Sequence, residues 1–185
     1  MLIRLLLVLA VCAGLASCSG YRRPPAAFHE TLTQPYQLDS SDRLRIIVFG
    51  QDDLSNTYTV DQAGYISFPL IGSVPARGKN QQQLAAEIGR KLRQGYLRDP
   101  DVSVEVDTYR PVFIMGEVQN PGQYSFVAGM TVQNAIATAG GFGTRAQQLD
   151  VDITRQINGE ILNGRVPISD PVRPGDTIYV RERLF

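Results

Sequence analysis

The chain has 185 residues, with 18 basic and 18 acidic side chains and a formal net charge of zero. That balance, without any Lys/Arg-rich run, gives a nucleic-acid backbone no electrostatic footing. A single histidine among 185 residues excludes multi-histidine metal sites, and its place at His29, in a stretch without strand or helix period, argues against histidine-dependent triads.

At the N-terminus, Arg4 supplies a positive start, and Leu5 to Leu15 form an apolar stretch of the length of a signal-peptide core, about 7 to 15 residues. It is well short of the ~20 residues that span a bilayer. Small residues then lead to a cysteine. The order Leu15-Ala16-Ser17-Cys18 resembles the lipobox of bacterial lipoproteins. The resemblance implies cleavage before Cys18, so that residues 1–17 are a lipoprotein signal peptide, and acylation of Cys18 as the lipid attachment site. The alternatives are an ordinary secretory leader cut near Ala16 and a lipobox ending at Cys12, which bulky Val11 suits less well. After cleavage only Cys18 remains, so the mature chain forms no internal disulfide even in an oxidising periplasm. Several acyl chains together give firm membrane attachment where one gives little. Ser19, in place of Asp, is by the same resemblance compatible with transfer to the outer membrane. Residues 18–35, with prolines, few aliphatics and no periodicity, read as a tether.

Leu44, Ile46 and Val48 alternate with Arg43, Arg45 and Ile47, the period of a strand with one buried face. Thr57 to Val60 and Tyr65 to Phe68 flank Asp61-Gln62-Ala63-Gly64 and read as a hairpin, with Pro69-Leu70-Ile71-Gly72 ending the strand. Asn80 and Gln83 have capping-box spacing before a helix carrying the stripe Leu84, Ile88 and Leu92, with Glu87 and Lys91 in the favourable i, i+4 order and Gly95 at its end. Val102, Val104 and Val106 then alternate with polar residues in a half-exposed strand that completes the first module.

The second module opens with the apolar run Val112 to Met115, the turn Asn120-Pro121-Gly122 and a strand near Tyr124. Thr131 caps a helix whose face is Val132, Ala135, Ile136 and Ala139, ended by Gly140-Gly141. Asn158-Gly159 and Asn163-Gly164 read as hairpin turns, and Pro174-Gly175-Asp176 leads into the strand Thr177 to Val180. Strands crossed by one helix, twice over, predict an α+β fold, with a small β-grasp second.

From Tyr36 onward the sequence resembles the Wza-type (OPX) polysaccharide export proteins of the bacterial outer membrane. Tyr36-Gln37-Leu38, Asp42-Arg43-Leu44-Arg45-Ile46, Gly64 to Gly72 and Asp99 to Val104 are similar to the polysaccharide-export domain, here residues 36–109. Gly116-Glu117-Val118, Asn120 to Tyr124, Ala135-Ile136-Ala137, Ala139-Gly140-Gly141 and Pro174 to Ile178 are similar to an SLBB domain, here residues 110–185. Two positions depart from the family pattern: Ser41 stands where Gly usually precedes Asp42, and Ala63 where Asp often precedes Gly64. The motifs read as fold determinants, since Gly after Pro or Asn makes turns and Gly-Gly ends helices in any fold.

Catalytic and cofactor sites fail one at a time. His29 lies in the tether. Gly72 to Lys79 has one residue too many between its glycines for a phosphate-binding G-x-x-x-x-G-K-[ST] loop, and Asn80 replaces the Ser/Thr, so it reads as a strand-ending loop. Gly141-Phe142-Gly143 with Ala146 imitates a dinucleotide fingerprint but follows a helix rather than a strand. Asp52-Asp53 and Asp150/Asp152 read as solvated carboxylates. The expectation is no enzyme, no cofactor and no metal.

The resemblance implies that larger members of the family form rings of protomers whose C-terminal amphipathic helices assemble into a pore through the outer membrane. This chain stops at Phe185, after its last predicted strand. The resemblance therefore implies a lipid-anchored periplasmic ring or collar, a homo-oligomer that takes polysaccharide from an inner-membrane copolymerase towards a separate outer-membrane β-barrel. The alternatives are a monomeric glycan- or protein-binding envelope lipoprotein outside the conduit and, least supported, a polymer-modifying enzyme.

Overall fold

The computed structural model describes residues 34–157 and 159–183; Cys18, His29 and the segment before Gln34 lie outside them. Strand β1 (Arg43–Val48) is central in a three-stranded antiparallel sheet, between β2 (Asn56–Thr59) and β5 (Val102–Thr108). Its alternation is realised as expected: Leu44, Ile46 and Val48 are buried while Arg43 and Arg45 face solvent. A 3₁₀ turn over Asp52–Leu54 joins β1 to β2 and leaves Asp52 and Asp53 exposed.

The predicted hairpin between residues 57–60 and 65–68 does not form. Its turn does: the Gly64 amide donates to the Asp61 carbonyl at 3.0 Å and the Asp61 amide to Tyr65 at 2.8 Å. Beyond the turn the strands part, because β2 completes the edge of β1 while β3 (Tyr65–Phe68) pairs with β4 (Gly72–Pro75). Gly72 thus begins a strand, and the stretch expected as a strand-ending loop is extended to Pro75. Val74 sits opposite Ile66 in the register and both are fully buried. Removing such a pair from water contributes about 1.5–3 kcal/mol per side chain, more than a turn preference can oppose.

Helix α1 (Gln81–Leu92) starts in the predicted capping box: Asn80 accepts from the Gln83 amide at 2.8 Å, and the Gln83 side chain accepts from the Asn80 amide at 3.0 Å. Leu84, Ile88 and Leu92 are buried against the sheet. Glu87 pairs with Arg90 at 2.6 Å instead of Lys91, whose ammonium donates to the Ser73 carbonyl at 2.9 Å.

The second half is a mixed five-stranded sheet in the order β7-β6-β10-β8-β9. The elements are β6 (Val112–Gly116), β7 (Gly122–Tyr124), β8 (Asp150–Ile157), β9 (Glu160–Pro167) and β10 (Thr177–Val180). First and last strands run parallel at its centre, the β-grasp arrangement expected. Helix α2 (Val132–Thr138) carries Val132, Ala135 and Ile136 into the core below Ile114, Ile153 and Ile178. Its cap is Thr131, as predicted, and Gly140 and Gly141 leave it with positive φ. Gly159 turns β8 into β9 at φ 84°, but Asn163-Gly164 is no turn: both residues lie inside β9, paired with Thr154 and Ile153. The Thr154 hydroxyl donates to Asn163 Oδ1 at 2.5 Å, so the β8 ladder overrides the dipeptide's turn preference. The whole is α+β, with one buried cluster in each half, and Tyr109 touches both Tyr36, packed on the first, and Phe126, packed on the second. Among the described residues no helix is long and apolar enough to cross a membrane.

Candidate functional site

A cleft of about 530 Å³ lies where the two halves meet. Asp42, fully buried just before β1, holds two of the residues that line the cleft, Tyr36 and Asp39. Its carboxylate accepts from the Tyr36 hydroxyl at 2.7 and 2.9 Å, the Asp39 amide at 2.8 Å and, from the second half, the Arg110 amide at 3.0 Å. Burial pushes the Asp42 pKa up despite these bonds. Burial also raises Tyr36, against the pull of Arg110, so its phenol stays protonated and donates.

Arg110 is the cross-tie. Its guanidinium binds Asp39 Oδ2 at 2.6 Å and donates through Nε to the Pro174 carbonyl at 2.9 Å, and it lies 5.9 Å from the Tyr36 ring centre. Gly175, at φ 85°, makes room: a Cβ there would come within 2.7 Å of Arg110 Nε. An aromatic ladder runs beside it, Tyr36 to Tyr109 at 5.0 Å and Tyr109 to Phe126 at 5.4 Å, both edge-on. Such contacts contribute about 0.5–1.5 kcal/mol each beyond area burial, so residues 109–111 form a fastened joint.

On the opposite wall Arg155 and Asp176, 3% and 1% exposed, pair through two bonds of 2.9 and 2.7 Å. Asp176 also accepts from the Arg173 amide at 2.7 Å. Arg77 binds Asp39 Oδ1 at 2.8 Å and donates to Ser40 Oγ and the Gln62 carbonyl. Burial would raise the Asp39 pKa, but the Ser40 amide and the Arg77 and Arg110 guanidiniums outweigh it and hold the carboxyl below its ordinary value.

The cleft joins motifs from opposite ends of the folded chain, Tyr36-Gln37-Leu38 and Pro174-Gly175-Asp176. Sequence reasoning quoted those segments but passed over the arginines, whose partners lie 64 and 68 residues away for Arg110. A charged residue beside a linker proline carries no local signal of such a role. Of the rejected candidates, Gly72 to Lys79 lends Arg77 and Gly78 to the cleft, and the others among the described residues fall elsewhere. Gly141 to Gly143 is a helix-ending loop held by the Gly143 amide on the Glu117 carbonyl at 2.8 Å. Asp150 and Asp152 are not simply solvated: Arg181 pairs with both, and Arg165 binds Asp152 at 2.9 Å.

Comparison with known proteins accords with this architecture. Residues 30–107 match the model of the polysaccharide biosynthesis/export proteins, and residues 111–166 match the SLBB domain. The chain belongs to the polysaccharide biosynthesis/export family. It is similar to the exopolysaccharide production protein ExoF of Rhizobium meliloti, at 39% identity over 57% of this chain and 28% of that protein. It is also similar to the EPS I polysaccharide export outer membrane protein EpsA of Ralstonia nicotianae, at 32% identity over 82% of this chain and 42% of EpsA. The polysialic acid transport protein KpsD of Escherichia coli is 28% identical over 80% of this chain and 28% of KpsD. The chain thus spans less than half the length of each of these relatives. In this family member the SLBB match ends before β10, the strand at the centre of the sheet.

Proposed function

We propose that this protein is a periplasmic ring or collar component of a machine that exports extracellular or capsular polysaccharide, held to the outer membrane by lipid on Cys18. The carrying observation is that an export domain and an SLBB domain follow one another in this chain, fastened through Arg110. Copies of the chain surround the path of the polymer, receive it from an inner-membrane copolymerase and pass it to a separate outer-membrane barrel. That division of labour suits a sheet whose outer face carries the Asp150, Asp152, Arg165 and Arg181 ion ladder, which a lipid-facing surface would not tolerate.

Deleting the gene should trap polymer inside the cell, with restoration by the wild-type chain and weak restoration by Cys18→Ala. Light scattering and electron microscopy of the purified protein should give a closed ring. Strictly monomeric behaviour with and without the copolymerase, together with normal secretion in the deletion strain, would favour the monomeric binding lipoprotein. The observation on that side is a cleft complete within one chain.

A further inference from the structure

We propose that the cleft between the two halves binds a carboxylate-bearing saccharide, and that Arg173 takes the carboxylate. Four arginines line the cleft, Arg77, Arg110, Arg155 and Arg173, against two aspartates, Asp39 and Asp176. The aspartates are spoken for: Asp39 is shared by Arg77 and Arg110, and Asp176 is gripped by Arg155 and by the Arg173 backbone amide. Asp42, outside the lining, accepts from Tyr36, Asp39 and Arg110. Arg173 is left half-buried, and the described contact of its guanidinium is a long 3.4 Å approach to the Gln34 carbonyl.

A guanidinium so placed has lost part of its hydration, and among the described residues no carboxylate is paired with it directly, Asp176 acting on it only at longer range. Burial first, and then repulsion from Arg155, lower its pKa, both costs that a bound carboxylate relieves. Arginine offers a planar fork matched to a carboxylate's two oxygens. The cleft walls also present Ser40, Gln37 and Gln156, hydroxyl and amide groups suited to a polyhydroxylated ligand. The volume falls in the range of small-ligand sites, enough for a few sugar rings of a longer chain.

The saccharide nature of the ligand rests on the export reading; the charge at Arg173 does not. The test is calorimetric titration of the full chain in nonionic detergent with hexagalacturonate, maltohexaose, hexaglutamate and inorganic phosphate. Saturable binding of hexagalacturonate alone is expected, weakened about tenfold or more by Arg173→Gln and less by Arg173→Lys, which keeps the charge without the fork. Absence of binding, equal binding of maltohexaose, or unchanged affinity in both variants overturns the proposal. So does equal or better binding of phosphate, which marks a general anion site, or of hexaglutamate, which marks a docking surface for an acidic protein. Should Arg173→Gln not fold, Arg173→Lys decides alone. Titration reports on the cleft, and secretion by a deletion strain reports on export, so either idea can fail visibly without the other.

Discussion

The backbone amide of Arg110 donates to Asp42 Oδ1 at 3.0 Å, so a buried carboxylate of the first half is capped by the residue that opens the second. Asp42→Ala would strand the Tyr36 hydroxyl and the Asp39 and Arg110 amides together. We expect a loss of about 3–5 kcal/mol, measured by urea unfolding, with Tyr36→Phe costing about 1–2 kcal/mol. Equal effects of the two would show that Asp42 is not the hub.

Two glycines with similar backbone angles should respond very differently to alanine. At Gly116, φ 88°, a Cβ would come within 2.0 Å of the Val180 carbonyl oxygen; at Gly159, φ 84°, it would meet nothing. Gly159→Ala therefore carries only the cost of a left-handed conformation, about 1–2 kcal/mol, whereas Gly116→Ala must also pry β6 from β10 and should exceed about 4 kcal/mol. Thermal denaturation of the two variants separates these effects.

Ser41, the residue in the family's usual glycine position, has φ 74°. Ser41→Gly relieves that strain and loses some through the freer unfolded chain, for a net gain of about 0.5–1 kcal/mol. A lowered denaturation midpoint would contradict this.

The buried pair Arg155 and Asp176 gives a double-mutant test. Asp176→Leu alone leaves a guanidinium buried without its anion and should cost about 3–5 kcal/mol. Adding Arg155→Met should recover much of that loss, since well-packed apolar replacements of buried pairs are often tolerated. Denaturant unfolding of the single and double variants measures the coupling.

Acid should act on Asp39 and Asp42 with opposite signs. Asp39, whose folded pKa is lowered, contributes stability that is present above the ordinary aspartate value of about 3.9 and is lost as pH falls through the lower folded one. Asp42, whose folded pKa is raised, contributes stability that is full below the ordinary value and lost as pH rises through the higher folded one. Asp39→Asn should therefore flatten the decline of stability towards acid, and Asp42→Asn should flatten the decline as pH rises above the ordinary value. Unfolding curves across this window decide the matter.

Local signals carried a good deal of the architecture. The capping box at Asn80, the stripe on α1, the Thr131 cap, the glycine pair after α2 and the alternation in β1 all lie within a few residues of the groups they engage, so neighbours in sequence suffice to specify them. The SLBB and export motifs were legible for the same reason, as turns and strand edges.

What only the tertiary structure decided is which segment meets which. Turn chemistry at Asp61 to Gly64 was right, yet β3 chose β4 because Val74 and Ile66 bury each other; Asn163-Gly164 entered β9 because β8 offered it a ladder. The cleft was beyond local reading altogether. Its groups come from residues near 40, 77, 110, 155 and 175, and burial and ion pairing act through space, where separation along the chain has no bearing once the backbone has folded.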